Sequence, residues 1–192
     1  MHNQDQNTIK AAAEYLREAL SSEGIELGSS HAHAAIAAFC GFNSKKALLD
    51  NGPDTADSNF VLAVEPDIEN LAKQVEKMKG APLQAVQINH LADLVQTAIT
   101  PECEICGKKE LRNVPVGDSQ APYFEPDGWV CPDCATDEDE YATCLFCGPD
   151  VIYRADQINE RGECAEHDGE SVMSDEEEQD WEDYIENITK DL

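Results

Sequence analysis

Four pairs of potential metal ligands, each with two residues between its members, dominate the second half of this chain of 192 residues. The short spacing lets both side chains of a pair reach one ion, and a glycine after a pair permits the tight turn that this requires. Eight ligands fill two tetrahedral sites with none left over, so the pattern predicts two bound metal ions. The pairs are Cys103 and Cys106, Cys131 and Cys134, Cys144 and Cys147, and Cys164 and His167.

We expect both ions to be structural Zn²⁺, because four protein ligands leave no coordination position for water or substrate. Metal binding worth on the order of 10 kcal/mol per site would replace the apolar core that residues 103–167 are too few and too polar to build. Iron is the main alternative metal, since rubredoxin-like sites use similar pairs, but the histidine in the fourth pair favours zinc. A thioredoxin-like redox role would need a βαβ context, which the sequence lacks.

The spacing leaves open which pairs share an ion. In sequential pairing the first two pairs hold one ion and the last two hold the other, which needs only local loop closure. In cross-bracing the first pair joins the third. Strand-like composition at 111–116, 123–124 and 151–154, with Gly128-Trp129-Val130 before Cys131, makes this region resemble tandem zinc ribbons. A LIM domain joins its fingers by a shorter linker than the nine residues here, and a RING module interleaves its central pairs more closely.

Acidic residues outnumber basic ones by 40 to 13, and the imbalance grows along the chain. The formal net charge is −6 over residues 1–100, −11 over 101–167 and −10 over 168–192. Such a surface repels phosphates, so direct nucleic-acid binding is not expected despite the resemblance to zinc ribbons. It would require the basic side chains of the metal region to cluster, namely Lys108, Lys109, Arg112, Arg154 and Arg161.

The first hundred residues are predicted to form helices with short connections. Apolar residues recur at helical spacing from Ile9 to Leu20, and Ser29 or Ser30 is a candidate cap for the helix that follows. Turn-forming residues at 50–59 and a short apolar run at 60–64 precede two further helices, and Pro101 ends the helical half. The predicted helices cover about 9–20, 31–40, 44–49, 66–79 and 86–99.

Residues 11–20, Ala-Ala-Ala-Glu-Tyr-Leu-Arg-Glu-Ala-Leu, and residues 29–49, which begin Ser-Ser-His-Ala-His-Ala-Ala-Ile, resemble a small helical domain. This domain is common in bacterial plasmid and mobile-element accessory proteins, including some described as glyoxalase-related. The resemblance covers about a fifth of the chain and implies a bacterial or phage accessory protein without a defined activity. No residue here matches the metal ligands of a glyoxalase enzyme domain, so no catalytic residue is carried over.

The C-terminal segment is predicted to be an acidic amphipathic helix. Ser174 and Glu177 fit a capping box, and the acidic first turn suits the positive end of a helix dipole. This helix could dock on the chain's own helical half, enter a basic-rimmed apolar groove of a partner protein, or stay disordered. Its apolar face, the candidate partner-binding surface, consists of Trp181, Tyr184, Ile185 and Ile188, followed by Leu192.

The sequence offers no catalytic or cofactor-binding constellation. It contains no Ser-His-Asp order, no phosphate-binding glycine loop and no His-Glu-x-x-His motif. His31 and His33 lie two residues apart and therefore point to different faces of a helix. We interpret Cys40 as a buried apolar residue of an alanine-rich helix and His90 as an ordinary helix residue. We therefore expect a protein that is not an enzyme, with an opened zinc site as the remaining enzymatic alternative.

Together these patterns predict an α+β chain in four parts. They are a helical unit at 1–50, a helical extension packed on it at 51–100, a two-zinc ribbon-like module at 101–167, and the acidic helix or tail at 168–192. The leading functional hypothesis is a zinc-stabilised adaptor or regulatory protein of a bacterial or phage mobile element that acts by protein–protein contact. The alternative is an acidic DNA mimic that inhibits a nucleic-acid-binding or defence enzyme.

The expected location is the cytoplasm, without membrane contact. No apolar stretch is long enough to cross a bilayer, and the first residues lack the basic and apolar regions of a signal peptide. Cysteines in closely spaced pairs are more typical of metal ligands than of disulfides in a reducing compartment.

Overall fold

The computed structural model describes residues 7–54, 59–78, 82–117, 125–170 and 179–180. The chain divides into two compact units, residues 1–137 and residues 138–192, so the division falls between the second and third ligand pairs. Within the described ranges, α-helices occupy the N-terminal half and short β-strands accompany the ligand pairs. The α+β class with N-terminal helices is thus confirmed.

Among its described residues the first unit has five α-helices, and their positions agree with the apolar spacing of the sequence. Single turns of 3₁₀-helix at Phe60–Ala63 and Pro82–Ala85 precede the last two of them. The helices are α1 (Asn7–Ser22), α2 (Ser29–Phe39), α3 (Lys45–Asn51), α4 (Ile68–Lys77) and α5 (Ile88–Ile99). In the described part of the chain, no helix combines the length and apolar character needed to cross a membrane.

Side-chain caps explain where α3 and α4 begin, whereas α2 begins without a side-chain cap. The Ser44 hydroxyl accepts a hydrogen bond from the Ala47 amide at 3.1 Å and so caps α3. The Asp67 carboxylate accepts from the Asn70 amide at 2.8 Å, so α4 begins after Pro66 rather than at it. The prediction of a serine cap for α2 is wrong, because the cap position is Gly28 and both serines already belong to the helix.

The apolar faces of α1, α2, α4 and α5 meet in one core that also includes Trp129. Burying a leucine or phenylalanine side chain contributes about 1.5–3 kcal/mol, so this core is the main source of stability for the helical part. Its largest side chains are inaccessible to solvent, and among them are Leu16, Ile36, Phe39, Phe60, Leu71, Leu91 and Val95.

In the part of the chain that the structure describes, four three-residue strands form two antiparallel pairs. In the first unit, β1 (Val114–Val116) pairs with β2 (Gly128–Val130), and Pro115 lies opposite Trp129. In the second unit, β3 (Tyr141–Thr143) pairs with β4 (Ile152–Arg154), and Ala142 lies opposite Tyr153. The strand-like composition at 111–116 and 151–154 predicts β1 and β4, whereas β2 and β3 are not predicted as strands.

Two predicted features fall outside the described residues. One is the strand at 123–124. The other is the apolar face of the acidic C-terminal helix, Trp181, Tyr184, Ile185 and Ile188 with Leu192.

Candidate metal centres

The first ligand group consists of Cys103, Cys106, Cys131 and Cys134, whose sulfur atoms all lie within 4.8 Å of one another. Cys103 follows α5 by a short extended stretch, and Cys131 comes directly after β2. In the turn after the first pair, the Gly107 amide donates to the Cys103 carbonyl at 2.8 Å. Gly107 has φ of +70°, a conformation that suits glycine, so this turn explains the glycine that follows the pair.

Trp129 attaches this group to the helical core. The Glu104 amide, between the first two ligands, donates to the Trp129 carbonyl at 2.9 Å. The Trp129 ring is 7% exposed and packs with the helical core, while its Nε1 donates to Asn59 Oδ1 at 3.1 Å. The first ligand group is therefore part of the helical unit.

Asn113 ties together the loop around the first pair. Its Nδ2 donates to the carbonyls of Lys108 at 2.9 Å and of Pro101 at 3.0 Å. The side chain is almost fully buried, and its Oδ1 has no hydrogen-bond partner within the described residues. This asparagine holds the backbone on both sides of Cys103 and Cys106 in place.

The second ligand group consists of Cys144, Cys147, Cys164 and His167, again with all ligand atoms within 4.8 Å. His167 Nδ1 lies 3.2 Å from the Cys164 sulfur, 3.4 Å from Cys147 and 3.6 Å from Cys144. Nδ1 is thus the ligand atom, and Nε2 carries the proton when Nδ1 binds a metal. The Phe146 ring stacks on the imidazole with centroids 5.4 Å apart, which fixes its plane.

A network centred on Asn159 shapes the turn before Cys164. Asn159 Oδ1 accepts from the amides of Arg161 at 2.9 Å and Glu163 at 3.0 Å. Its Nδ2 donates to the carboxylates of Glu163 at 2.9 Å and Asp168 at 3.0 Å. The hydrogen bond from Asn159, with a second from the Gly169 amide, lowers the pKa of Glu163. The network keeps Cys164 and His167 on the same side of the turn.

The apolar core around the second group is small and contains the ligands themselves. Cys144, Val151, Tyr153 and Cys164 are its buried members. Phe146, Cys147 and Ile158 pack against them. A cluster of this size cannot offset the conformational entropy of the unit, so the described part of the second unit needs another source of stability.

Hydrogen bonds from backbone amides lower the pKa of one cysteine in three of the four pairs. Burial acts to raise the pKa of Cys103, but amide hydrogen bonds from Cys106, Cys131 and Ile105 outweigh it and lower the pKa to about 6. Burial is likewise opposed by amides at Cys144 and Cys164, whose pKa values are also lowered. These amides provide the electrostatic environment that a metal-bound thiolate requires.

Other cysteines of the same groups have raised pKa values because their neighbours compete for the same charge. Hydrogen bonding with Cys131, followed by burial, raises the pKa of Cys134 to about 12. Burial, with contributions from Cys144 and Cys164, raises the pKa of Cys147 to about 12. Four adjacent sulfurs cannot all ionise unless a cation compensates, and a divalent ion supplies that charge. The two groups therefore fit metal ions in both geometry and charge.

The structure groups the predicted ligands sequentially, with pairs one and two together and pairs three and four together. His33, His90 and Cys40, which also carry atoms that can bind a metal, lie outside both groups. His33 Nδ1 is 2.7 Å from the Ser29 carbonyl, and His90 Nε2 is 2.9 Å from Glu23 Oε1. Burial raises the pKa of Cys40 to about 12. His31 also falls outside both groups. In contrast, the sequence does not reveal the contacts of Asn113 and Asn159, which shape the sites. Trp129 and Tyr153 fall in segments that the zinc-ribbon resemblance includes, but their contacts with Asn59 and Cys147 do not follow from spacing.

Three basic side chains of the metal region contact groups of their own unit. Lys108 Nζ lies 3.1 Å from Asp133 Oδ2, and Lys109 Nζ lies 5.7 Å above the Tyr15 ring. In the second unit, the Arg154 guanidinium lies 5.4 Å from the Tyr141 ring centroid.

Comparison of the chain with protein families, curated proteins and solved structures finds no match.

Proposed function

We propose that this protein is a zinc-stabilised adaptor or regulatory protein that acts by contact with a partner protein and not by catalysis. The observation that carries the proposal is that each ligand group supplies four protein ligands. A tetrahedral ion held this way has no open position for water or substrate, so its role is to stabilise the fold.

Zinc is the metal that we propose for both groups, each forming a ribbon-like centre. A set of three thiolates and one imidazole is typical of structural zinc, and each group lies at the end of an antiparallel strand pair. Native mass spectrometry of the protein as purified should find two zinc ions per chain. Iron in either group would be visible from its colour and would overturn this assignment.

Exposed apolar side chains next to the ligands support the role in protein binding. Leu145, between Cys144 and Phe146, is 65% exposed, and Ile105, just before Cys106, is 55% exposed. Residues 138–170 of the second unit carry ten acidic and two basic residues. An apolar side chain in an anionic surrounding is complementary to a partner with an apolar pocket and a basic rim.

We extend this proposal to the acidic tail on sequence grounds. Trp181, Tyr184, Ile185 and Ile188 would form the apolar face of a helix that binds the same basic-rimmed partner. On the resemblance of residues 11–20 and 29–49 to accessory-protein helical domains, we propose that the protein belongs to a bacterial or phage mobile element and acts in the cytoplasm of the host.

Affinity capture from a bacterial lysate tests the proposed role. The full chain is compared with Leu145→Ser, with a chain that lacks residues 171–192, and with Leu62→Ser as a control at an exposed position of the helical part. We expect specific partners to be lost with the first two variants and retained with the control. An identical set of captured proteins for all four chains would overturn the proposal.

A DNA mimic is the second candidate, supported by four consecutive exposed acidic residues, Asp137, Glu138, Asp139 and Glu140. Carboxylates along a surface can occupy a phosphate-binding groove and release the same counterions as DNA. A mimic should displace DNA from its target protein strongly at low salt and weakly at high salt. A partner interaction that does not compete with DNA would favour the adaptor role.

A further inference from the structure

Tyr153 connects the strand pair of the second unit to the second ligand group. It lies on β4 opposite Ala142, and its side chain is only 7% exposed. The ring packs with Val151 and the ligand cysteines, and the hydroxyl oxygen lies 3.1 Å from the Cys147 sulfur. A buried tyrosine hydroxyl needs a hydrogen-bond partner, and here the partner is a metal ligand.

The chemistry of the ligand fixes the direction of this hydrogen bond. A cysteine bound to a metal is a thiolate and has no proton to give. The Tyr153 hydroxyl must therefore donate to the Cys147 sulfur. A hydrogen bond of this kind withdraws electron density from sulfur and reduces its reactivity towards electrophiles.

The matching cysteine of the first ligand group has a different environment. Cys106, like Cys147, is the second ligand of its pair, but it is exposed whereas Cys147 is half-buried. Its sulfur accepts a hydrogen bond from the backbone at Lys108. The two positions thus differ in solvent access and in the buried hydroxyl donor that faces Cys147.

We propose that Tyr153 is a positioning residue of the second centre, whose hydroxyl holds the Cys147 thiolate in place and protects it, so that this centre keeps its metal under attack by thiol-reactive compounds. The proposal rests on the assignment of a structural metal to this group. It adds a difference in chemical resistance between the two centres, which the number of ligands alone does not predict.

Iodoacetamide is the probe for this protection. The thiolate sulfur forms a bond to the methylene carbon of iodoacetamide and iodide leaves, so the ligand loses its charge and the ion is released. Alkylation at each cysteine is followed by mass spectrometry, and released zinc by a colorimetric chelator. Cys106 in the same molecule serves as the internal reference.

Tyr153→Phe removes the hydroxyl and keeps the ring. We expect alkylation of Cys147 and release of zinc from the second centre to become about tenfold to a hundredfold faster, the size of effect expected for a lost hydrogen bond to a charged group. Alkylation of Cys106 should not change. Tyr141→Phe is the matched control, since Tyr141 is equally buried on β3 and its hydroxyl lies 3.3 Å from Arg154 Nη1.

A spectroscopic measurement distinguishes the loss of this hydrogen bond from a general loss of packing around the second centre. With Co²⁺ in place of zinc, Tyr153→Phe should shift the sulfur-to-cobalt charge-transfer band, while Tyr141→Phe should not. Site-specific 3-fluorotyrosine at position 153 keeps the ring and makes the hydroxyl a stronger donor, so it should slow alkylation of Cys147. This replacement also tests the proposal if the phenylalanine variant folds poorly.

The outcomes distinguish this proposal from the one on which it rests. Two zinc ions per chain with equal alkylation of Cys147 in wild type, Tyr153→Phe and the fluorotyrosine protein would overturn the role of Tyr153 and leave the structural metal intact. A second group that binds no metal in the wild type would overturn both.

Discussion

The first ligand group borders a large apolar core, whereas the second ligand group is itself the centre of a small one. Near Cys103 and Cys131, the Trp129 side chain joins the metal loop to four packed helices. Around Cys144 and Cys164, the buried residues are mainly the ligands and the strand residues that touch them. The same pair spacing thus occurs in two settings. The first group adjoins an apolar core that is already large, and the second group takes the place of such a core.

This difference matters because, with metal bound as proposed, we expect metal binding and folding to be coupled to different degrees in the two units. A helical core of this size can persist without a metal, since its stability comes from apolar burial. A unit without such a core folds only when the binding free energy of the ion is included. Four measurements test this contrast, in order of decreasing expected effect.

Removal of both metals should have the largest effect and should act unequally. Treatment with a strong chelator should unfold the second unit, because about 10 kcal/mol of binding free energy is lost there. Hydrogen exchange should then show full loss of protection at residues 141–164 and retained protection in α1, α2 and α5. Persistent protection of β3 and β4 in the metal-free protein would remove the contrast.

Single ligand substitutions localise the same effect. Cys164→Ser should release one zinc and unfold the second unit, while Cys131→Ser should release the other zinc and leave the helices folded. Cys40→Ser is the control, since Cys40 lies outside both groups. Native mass spectrometry counts the ions, and circular dichroism at 222 nm follows the helices. Loss of the helices in Cys131→Ser would show that the first metal is essential to the helical core.

Trp129 tests the attachment of the first group to the helices. Trp129→Ala should destabilise the first unit by about 3–5 kcal/mol and weaken metal binding by the first group only. Trp129→Phe, which keeps most of the packing but lacks the donor to Asn59 Oδ1, should cost about 1 kcal/mol. Urea unfolding followed at 222 nm measures stability, and chelator competition measures affinity at each site. Equal weakening of both sites would contradict the assignment of Trp129 to the first group.

The sequence predicts the two groups of Cys and His residues and the helices well, because both depend on local spacing. The eight ligands follow from pairs two residues apart, and α1 and α5 from apolar periodicity. The Ser44 cap also depends on neighbouring sequence, because serine is a common N-cap residue. Gly28 precedes α2 and makes no side-chain hydrogen bond, so no such signal marks the start of that helix.

The residues that hold the sites in place could not be predicted in this way. Trp129 reaches Asn59 across 70 positions of sequence, and Tyr153 meets Cys147 only because β4 folds back on β3. Asn113 and Asn159 bind mainly backbone groups, whose positions depend on turns that leave no pattern in the side chains. The division of the chain between residues 137 and 138 likewise depends on contacts and not on composition.

The smallest expected effect compares these two asparagines. Asn159→Ala removes four hydrogen bonds and leaves the Glu163 and Arg161 amides without their acceptor. It should therefore lower the unfolding free energy of the second unit by about 2–3 kcal/mol. Asn113→Ala removes two hydrogen bonds and also a buried Oδ1 that has no partner within the described residues, so it should cost the first unit about 1 kcal/mol. Hydrogen exchange resolves the two units separately in the zinc-loaded protein. If Asn113→Ala proves the more damaging change, the first metal loop depends on its own hydrogen bonds more than on its attachment to the helical core, and the contrast between the two units narrows.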